Sequence, residues 1–314
     1  MRCVPFLLPL ILILSLLVLT GAIGQQPRQP TPQPGAGKKD QPPPPKPDAE
    51  ATKTLKEAIL ALSAQPWIET TFWQQATMQS LTFQAEGKYL AEPKNRRLHL
   101  DLAVYVGNTT GKLEVISDGT IVWEKLQIGK GARPEIRKTE LKKILEALKS
   151  VNQEQVRTAL LQTQSLAGVA PLLQNIQEQM TVTRQEKAAW QGREVTRLTA
   201  VWSEAMTKGL VPPNGSWLPF LPRKCFLYLD RKDGAVPYWP YRIEWWGPSE
   251  SPDEDVLLLQ MEFRNPQLAS SLTAEQIHRV FTFDPGVAQA TDQTRESTDR
   301  AKNRAGQLAN QKIK

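Results

Sequence analysis

The sequence predicts an α+β fold in which helices cover the apolar face of a strongly curved antiparallel sheet. A helix, a block of strands, a block of helices and a second block of strands follow one another along the chain. Such an order is typical of antiparallel sheets rather than of doubly wound parallel ones. Within the strand blocks, apolar residues alternate with polar ones, as in strands that have one covered and one wet face. A ladder of this length must twist and curl.

The first elements follow from the spacing of their apolar residues. Residues 49–64 have helical spacing, with Leu55, Ile59 and Leu62 on one face and Asp48 at a suitable position for the helix start. After this helix, apolar residues recur at every second position. The segments "LTFQAEGKYLAE" (81–92) and "RLHLDLAVYV" (97–106) place apolar residues at alternate positions. This pattern predicts two antiparallel strands joined by the turn "EPKN".

Dipeptides that contain glycine mark the hairpins. Asp118-Gly119 separates two short apolar runs in "LEVISDGTIVWEKL", and Gln191-Gly192 and Asp233-Gly234 separate later strands. Asp-Gly readily adopts the left-handed torsion angles of a two-residue hairpin turn. After the first of these turns, Ile121 and Trp123 fall on the same face of the next strand.

The second half of the chain again contains a segment with helical spacing, followed by strands. Residues 139–180 have helical spacing, with Thr139 as the expected N-cap. Strands return at Met180 and continue through "CFLYLD", "YRIEWW" and "DVLLLQMEF". The segment "TAEQIHRVFTF" (273–283) predicts one helical turn and a last strand that closes the domain. The aromatic run "PYWPYRIEWWG" predicts a half-buried cluster at a sheet edge, and a sugar-binding platform is the alternative.

The two ends of the chain differ from its body. Residues 1–24 have the pattern of a secretory signal peptide, with Arg2, an apolar run and small residues at Ala22 and Gly24. Because a run of ~20 apolar residues can cross a bilayer, an uncleaved anchor is the alternative. Residues 25–48 are rich in proline and predict a disordered linker, either a tether or a leader without a role. Residues 291–314 predict a disordered polar tail, which leaves one folded domain at 49–290.

The basic charge lies mainly at these ends. The formal net charge is +7, and residues 51–291 contribute only +2 of it. A nucleic-acid-binding domain concentrates basic charge on a folded face, so the sequence predicts no nucleic-acid partner. An uncleaved signal segment or the basic tail could bring the chain into contact with a membrane.

The sequence shows no constellation for catalysis, for a metal or for a cofactor. The two histidines, His99 and His278, are far apart and have no second ligand at zinc-site spacing. The sequence contains no Gly-rich phosphate loop and no nucleophile elbow. We therefore expect no enzyme activity, no metal and no cofactor. Cys225 lies in an apolar strand-like run, which predicts a buried and unreactive thiol.

The strand and turn pattern resembles the LolA/LolB-like superfamily of bacterial lipoprotein carriers. The similar segments are "LTFQAEGKYLAEPKNRRLHLDL", "LEVISDGTIVW" and the strand–helix–strand order that ends in "VFTFDPGV", within residues 50–290. Gly87, Pro93 and the Ser117-Asp118-Gly119 turn followed by Trp123 belong to this pattern. The resemblance implies a half-closed antiparallel sheet, a half-barrel, whose concave hydrophobic face is plugged by helices. The segment after Trp123, the length of the helical region and the Pro-rich leader differ from the family pattern.

The resemblance implies a carrier-like, non-catalytic module that binds acyl chains of lipids or lipoproteins in the periplasm or cell envelope of a bacterium. Together with the one-sided apolar ladder, it predicts a concave hydrophobic surface, lined by Phe83, Leu98, Leu100, Leu102, Trp123, Leu257, Leu259 and Phe263. The alternative is a tethered envelope sensor or interaction domain that binds a protein partner and transports no lipid. In that case the helices at 49–64 and 139–180 fill the concave face completely. We expect a monomer.

Overall fold

A computed structural model describes residues 46–78, 81–147, 168–204, 206–207, 217, 221–248, 254–268, 272–286 and 288–299. The predicted signal peptide, nearly all of the Pro-rich linker and the last part of the predicted tail lie outside the described residues. The same is true of residues 148–167 in the predicted helical region.

Helices and strands alternate in blocks, as the sequence predicts. The described helices are α1 (Ala49–Ser63), α2 (Leu141–Ala147), α3 (Val169–Gln179) and α4 (Ala274–Phe281). The described strands are β1 (Ile68–Met78), β2 (Leu81–Glu92), β3 (Arg97–Val106), β4 (Thr109–Ser117), β5 (Ile121–Ile128), β6 (Glu135–Glu140), β7 (Met180–Trp190), β8 (Arg193–Trp202), β9 (Lys224–Leu229), β10 (Pro240–Pro248), β11 (Asp255–Leu268) and β12 (Ala290–Asp292).

All of these strands belong to one open sheet. Their order is β12-β6-β5-β4-β3-β2-β1-β11-β10-β9-β8-β7. Neighbouring strands pair antiparallel, with the exception of β12, which pairs parallel to β6. Because β12 and β7 form the two ends of this order, the sheet made by the described strands is open. The α+β class and the open antiparallel sheet predicted from the sequence are confirmed.

The position of α3 shows that the sheet curls. The N–H of Val169, the first residue of α3, donates to Tyr89 Oη on β2 at 3.1 Å, and the other end of α3 leads directly into β7. β2 and β7 are six positions apart in the sheet, which corresponds to about 29 Å in a flat sheet. A helix of 11 residues spans only about 16 Å. The sheet therefore curls, so that β2 and β7 approach each other across its concave side.

Helix α1 covers the same concave side. Asp48 is its N-cap, with Oδ1 accepting from Ala51 N at 3.0 Å, and Asp48 N donates to Val182 O on β7 at 2.9 Å. The buried face of α1 and that of α3 join the strands in one hydrophobic cluster. We call the sheet face under α1 and α3 the inner face and the opposite one the outer face.

The C-terminal segment differs from the prediction, because it crosses the outer face and returns to the sheet edge. α4 begins at a Thr273 capping box with Gln276, but the described residues between it and β12 (282–286, 288 and 289) form no strand. Residues 294–299 are helical, and Thr294 Oγ1 accepts from Glu140 N on β6 at 2.9 Å. The folded region therefore extends beyond residue 290, the predicted end of the domain, because this polar segment is held by backbone pairing to β6.

Two local predictions also change. Thr139 lies within β6 and pairs with Val122, so α2 begins only at Leu141 and Thr139 is not its N-cap. In the first hairpin, Asp118 pairs with Ile121 through Asp118 N and Ile121 O, and Gly119 alone has a positive φ, of 93°. The Asp118 side chain instead accepts from Thr120 N and Ile121 N. The turn is therefore Gly119-Thr120, stabilised by Asp118.

Candidate functional site

Six of the eight residues predicted to line a hydrophobic surface lie together on the inner face. Cross-strand pairing places Leu102 of β3 beside Gly87 of β2, and Phe263 of β11 beside Phe72 of β1. All six belong to the main hydrophobic cluster and are at most 4% exposed; they are Phe83, Leu98, Leu100, Leu102, Leu259 and Phe263.

Trp123, the seventh predicted residue, lies on the outer face. Ser117 of β4 pairs with both Leu98 and Val122, so Val122 and not Trp123 continues the inner row. The Trp123 ring contacts Phe283 in the C-terminal segment, with centroids 5.4 Å apart. The prediction that Trp123 shares a surface with Phe83 is therefore wrong, because the pairing across the hairpin gives it the opposite face.

Leu257, the eighth, is displaced by an irregularity in β11. Pairing with β10 shifts between Trp245 and Trp246, so that Leu259 pairs with Trp245 but Leu257 pairs with Trp246. Trp246 contacts Phe226 and donates to Glu244 Oε2 on the outer face. Leu257 is half-buried and continues this outer row instead of the inner one.

The centre of the inner face is closely packed. The Phe263 ring lies 5.2 Å from Phe72, 6.0 Å from Tyr89 and 5.8 Å from Trp239, measured between centroids. Burial raises the pKa of Tyr89, whose hydroxyl accepts the Val169 N–H of α3. The aromatic cluster thereby joins three strands, the β9–β10 connection and α3.

One end of the inner face is less completely covered. Val106 of β3, and Leu126 and Ile128 of β5, pack against the core but are only half-buried. Val106 pairs with Phe83, and Leu113, which pairs with Leu102, also pairs with Leu126. The half-buried residues at this end, which we call the half-covered end, therefore adjoin Phe83 and Leu102, two of the residues predicted to line the surface. In "VWEKLQI", every second residue counted from Val122 lies on the inner face. This spacing is the sequence signal that could have identified Leu126 and Ile128 as inner-face residues.

A hydrogen bond holds α1 in its position over the inner face. Tyr238 Oη, in the β9–β10 connection, donates to Glu57 Oε2 of α1 at 2.5 Å. This bond lowers the pKa of the Glu57 carboxyl. Burial and the bond to Glu57 raise the pKa of Tyr238 to about 12. The Tyr238–Glu57 hydrogen bond therefore links α1 to the β9–β10 connection, which also carries Trp239 of the aromatic cluster.

Cys225 is fully buried on the inner face, as the sequence predicts. It pairs with Trp245 of β10 and Ala200 of β8. Burial, and after it the nearby Glu244 charge, raise the pKa of the Cys225 thiol well above its usual value. A thiol held protonated in this way is a poor nucleophile.

The outer face is polar and its charges pair with one another. Arg242 pairs with Glu244 and Glu262, and Arg264 pairs with Glu262. The Arg264 guanidinium also lies 5.2 Å from the centroid of the Trp73 ring. β10 lies between β9 and β11, so the aromatic run of this strand is not at a sheet edge, in contrast to the prediction.

The described residues include no cluster of three or more His, Cys, Asp or Glu side chains with the geometry of a metal site. In the same part of the chain, no helix combines the length and hydrophobicity needed to cross a bilayer.

No protein-family profile and no curated protein matches the sequence. Solved structures similar to the chain include LprF from Mycobacterium bovis, at 12% identity over 73% of this chain and 99% of that chain, with a TM-score of 0.36. The Mycobacterium tuberculosis lipoprotein LppX is 10% identical over 72% of this chain and 100% of that chain, with a TM-score of 0.33. A domain from Vibrio parahaemolyticus, named as an outer membrane lipoprotein-sorting protein, is 9% identical over 73% and 97%, with a TM-score of 0.25.

Proposed function

We propose that this protein is a non-catalytic binding module for acyl chains of lipids or lipoproteins in the bacterial cell envelope. The observation that supports it best is the division of the sheet into two faces. The inner face is apolar across β1–β5 and β7–β11 and is covered in the described residues by α1 and α3, whereas the outer face pairs its own charges. A curled sheet of this kind offers a long apolar concave surface.

The acyl chain would enter at the half-covered end of the inner face. Val106, Leu126 and Ile128 would contact it first, and Phe83 and Leu102 adjoin these residues farther in. Beyond this end the acyl chain would lie between the sheet and α1 or α3, and one of these helices would have to move to admit it, because the other predicted residues are closely packed. Each buried methylene is worth ~0.8 kcal/mol, so contact along one chain would provide affinity without any polar catalyst.

Titration with a fluorescent fatty-acyl probe tests this function. We expect the mature protein to show saturable binding that unlabelled lipid displaces. Replacement of Leu126 by Asp places a charge on the half-covered end and should weaken binding at least about tenfold, because a buried unpaired charge is costly. Leu126 is half-buried, so its replacement is less disruptive to the fold than that of a central residue.

Ala103→Asp is the matched control for this titration. Ala103 is exposed on the outer face of β3 and pairs with Lys112, so the new carboxylate would be solvated and binding should change less than about twofold. If the folded wild-type protein shows no saturable binding at micromolar probe, the acyl-chain function fails. The protein would then be an interaction domain whose filled inner face is its core.

Export is a separate part of the proposal. The signal pattern at residues 1–24 leads us to expect a mature chain that begins at Gln25 and carries no lipid, since Gln25 stands where a lipoprotein has its cysteine. The measurement is N-terminal sequencing of protein isolated from its native host. An intact Met1 in the membrane fraction would mean that the segment is an anchor instead.

A further inference from the structure

The indole N–H of Trp245 is buried on the inner face without a hydrogen-bond partner. Trp245 pairs with Cys225 and Leu259, which both belong to the hydrophobic cluster. Its ring stacks on Trp202 with centroids 6.2 Å apart, and the residue is 4% exposed. Among the residues that the structure describes, none accepts from Trp245 Nε1.

Other indoles in the chain show the usual arrangement. Trp202 Nε1 donates to Pro222 O at 2.6 Å, Trp217 Nε1 to Leu221 O at 2.7 Å, and Trp239 Nε1 to Phe263 O at 3.0 Å. Buried tryptophan N–H groups normally find such a partner, and a buried donor left unpaired is unfavourable. Trp245 therefore differs from its neighbours in offering a free donor inside an apolar surface.

A buried acceptor lies at the end of α3, the helix that covers the inner face. Gln179, the last residue of α3, is 4% exposed. Its Nε2 donates to Asn175 Oδ1, while no described residue donates to its Oε1. Gln179 O accepts from Ser203 N at 3.0 Å, and Ser203 follows Trp202, whose ring stacks on Trp245. The end of α3 therefore lies beside the end of β8, where Trp202 stacks on Trp245.

We propose that Trp245 and Gln179 recognise the carbonyl linkage of a bound acyl chain. The indole N–H would donate to the carbonyl oxygen of an ester or amide. Gln179 Oε1 would accept from the amide N–H, or from a hydroxyl of the esterified alcohol. This inference rests on the proposed function and adds the ligand class to it: chains joined through a carbonyl group, in preference to ether-linked chains of the same length.

The test compares three fluorescent probes of equal chain length, joined to the same headgroup by an ester, an amide or an ether. We expect the wild-type protein to bind the ester at least about fivefold more tightly than the ether, as one added hydrogen bond predicts. The amide should bind at least as tightly as the ester. Trp245→Phe should reduce ester binding to the level of the ether and amide binding by about the same factor, and Gln179→Met should bring the amide to the level of the ester.

Trp246→Phe is the matched control, because the adjacent indole lies on the outer face and donates to Glu244 Oε2 at 2.9 Å. It should keep the preference for the ester. Equal binding of ester and ether by the wild-type protein overturns the carbonyl site and leaves the proposed function intact, even if Trp245→Phe does not fold. Failure of all three probes to bind overturns the proposed function, and the carbonyl site with it.

Discussion

Replacing Gly87 by alanine is expected to destabilise the protein by about 3 kcal/mol or more. Gly87 lies in the middle of β2, between Phe72 on β1 and Leu102 on β3. A Cβ at this position would lie 1.9 Å from Asp101 O and 3.0 Å from Leu102 Cα. Both atoms belong to the backbone of β3, so no change of rotamer removes the overlap. β2 and β3 must move apart, which weakens their pairing at the centre of the sheet.

Urea unfolding of the wild-type and variant proteins measures this effect. The control is Lys88→Ala, which changes the neighbouring residue on the outer face. Lys88 is exposed, so its truncation should change the free energy of unfolding by less than about 0.5 kcal/mol. A Gly87→Ala protein within about 1 kcal/mol of wild type would show that the close approach of the two strands is not required for the fold.

Local periodicity was sufficient to predict the strands and the class of the fold. β2 occupies residues 81–92 and β3 residues 97–106, as their alternation predicts. The reason is physical: a strand with one covered face must place its apolar side chains at every second position. The Gln191-Gly192 turn is confirmed for a similar reason, since both residues have the positive φ, 48° and 78°, that a tight hairpin requires.

The composition of the candidate surface could be predicted only in part. Alternation shows which residues of one strand share a face, but the pairing across each turn decides which of the two faces is the inner one. For this reason, alternation alone predicts the wrong face for Trp123. Alternation also predicts the wrong face for Leu257, because the irregularity between Trp245 and Trp246 interrupts the pairing of β10 with β11.

Contacts between distant segments leave no periodic signal. The parallel pairing of β12 with β6 joins residues more than one hundred positions apart, and the sequence of β12, "ATD", is too short and too polar to predict a strand. The hydrogen bond between Tyr89 and α3 is similar, because a tyrosine on an apolar strand face does not indicate which backbone group it will bind. The unpartnered indole of Trp245 also depends on the packing of three strands.

Replacing Phe263 by alanine should destabilise the protein by about 3–5 kcal/mol, the usual range for a large aromatic side chain in a packed core. Phe263 is 3% exposed, and its ring contacts those of Phe72, Tyr89 and Trp239. Tyr89 in turn binds the first N–H of α3. Truncation of Phe263 therefore removes the centre of the aromatic cluster and loosens the support of the helical cover.

The same measurement distinguishes a packed inner face from a hollow one. If the Phe263 ring faced an open cavity, its removal would forfeit few contacts and would cost less than about 1 kcal/mol. Trp73→Ala is the control, since Trp73 is half-buried on the outer face, where the nearby Arg264 guanidinium contributes about 0.5–1 kcal/mol. A larger loss for Phe263→Ala than for Trp73→Ala would place the main stabilising contacts on the inner face. Binding of an acyl chain at the centre of that face would then require α1 or α3 to move, whereas binding at Leu126 and Ile128 would not.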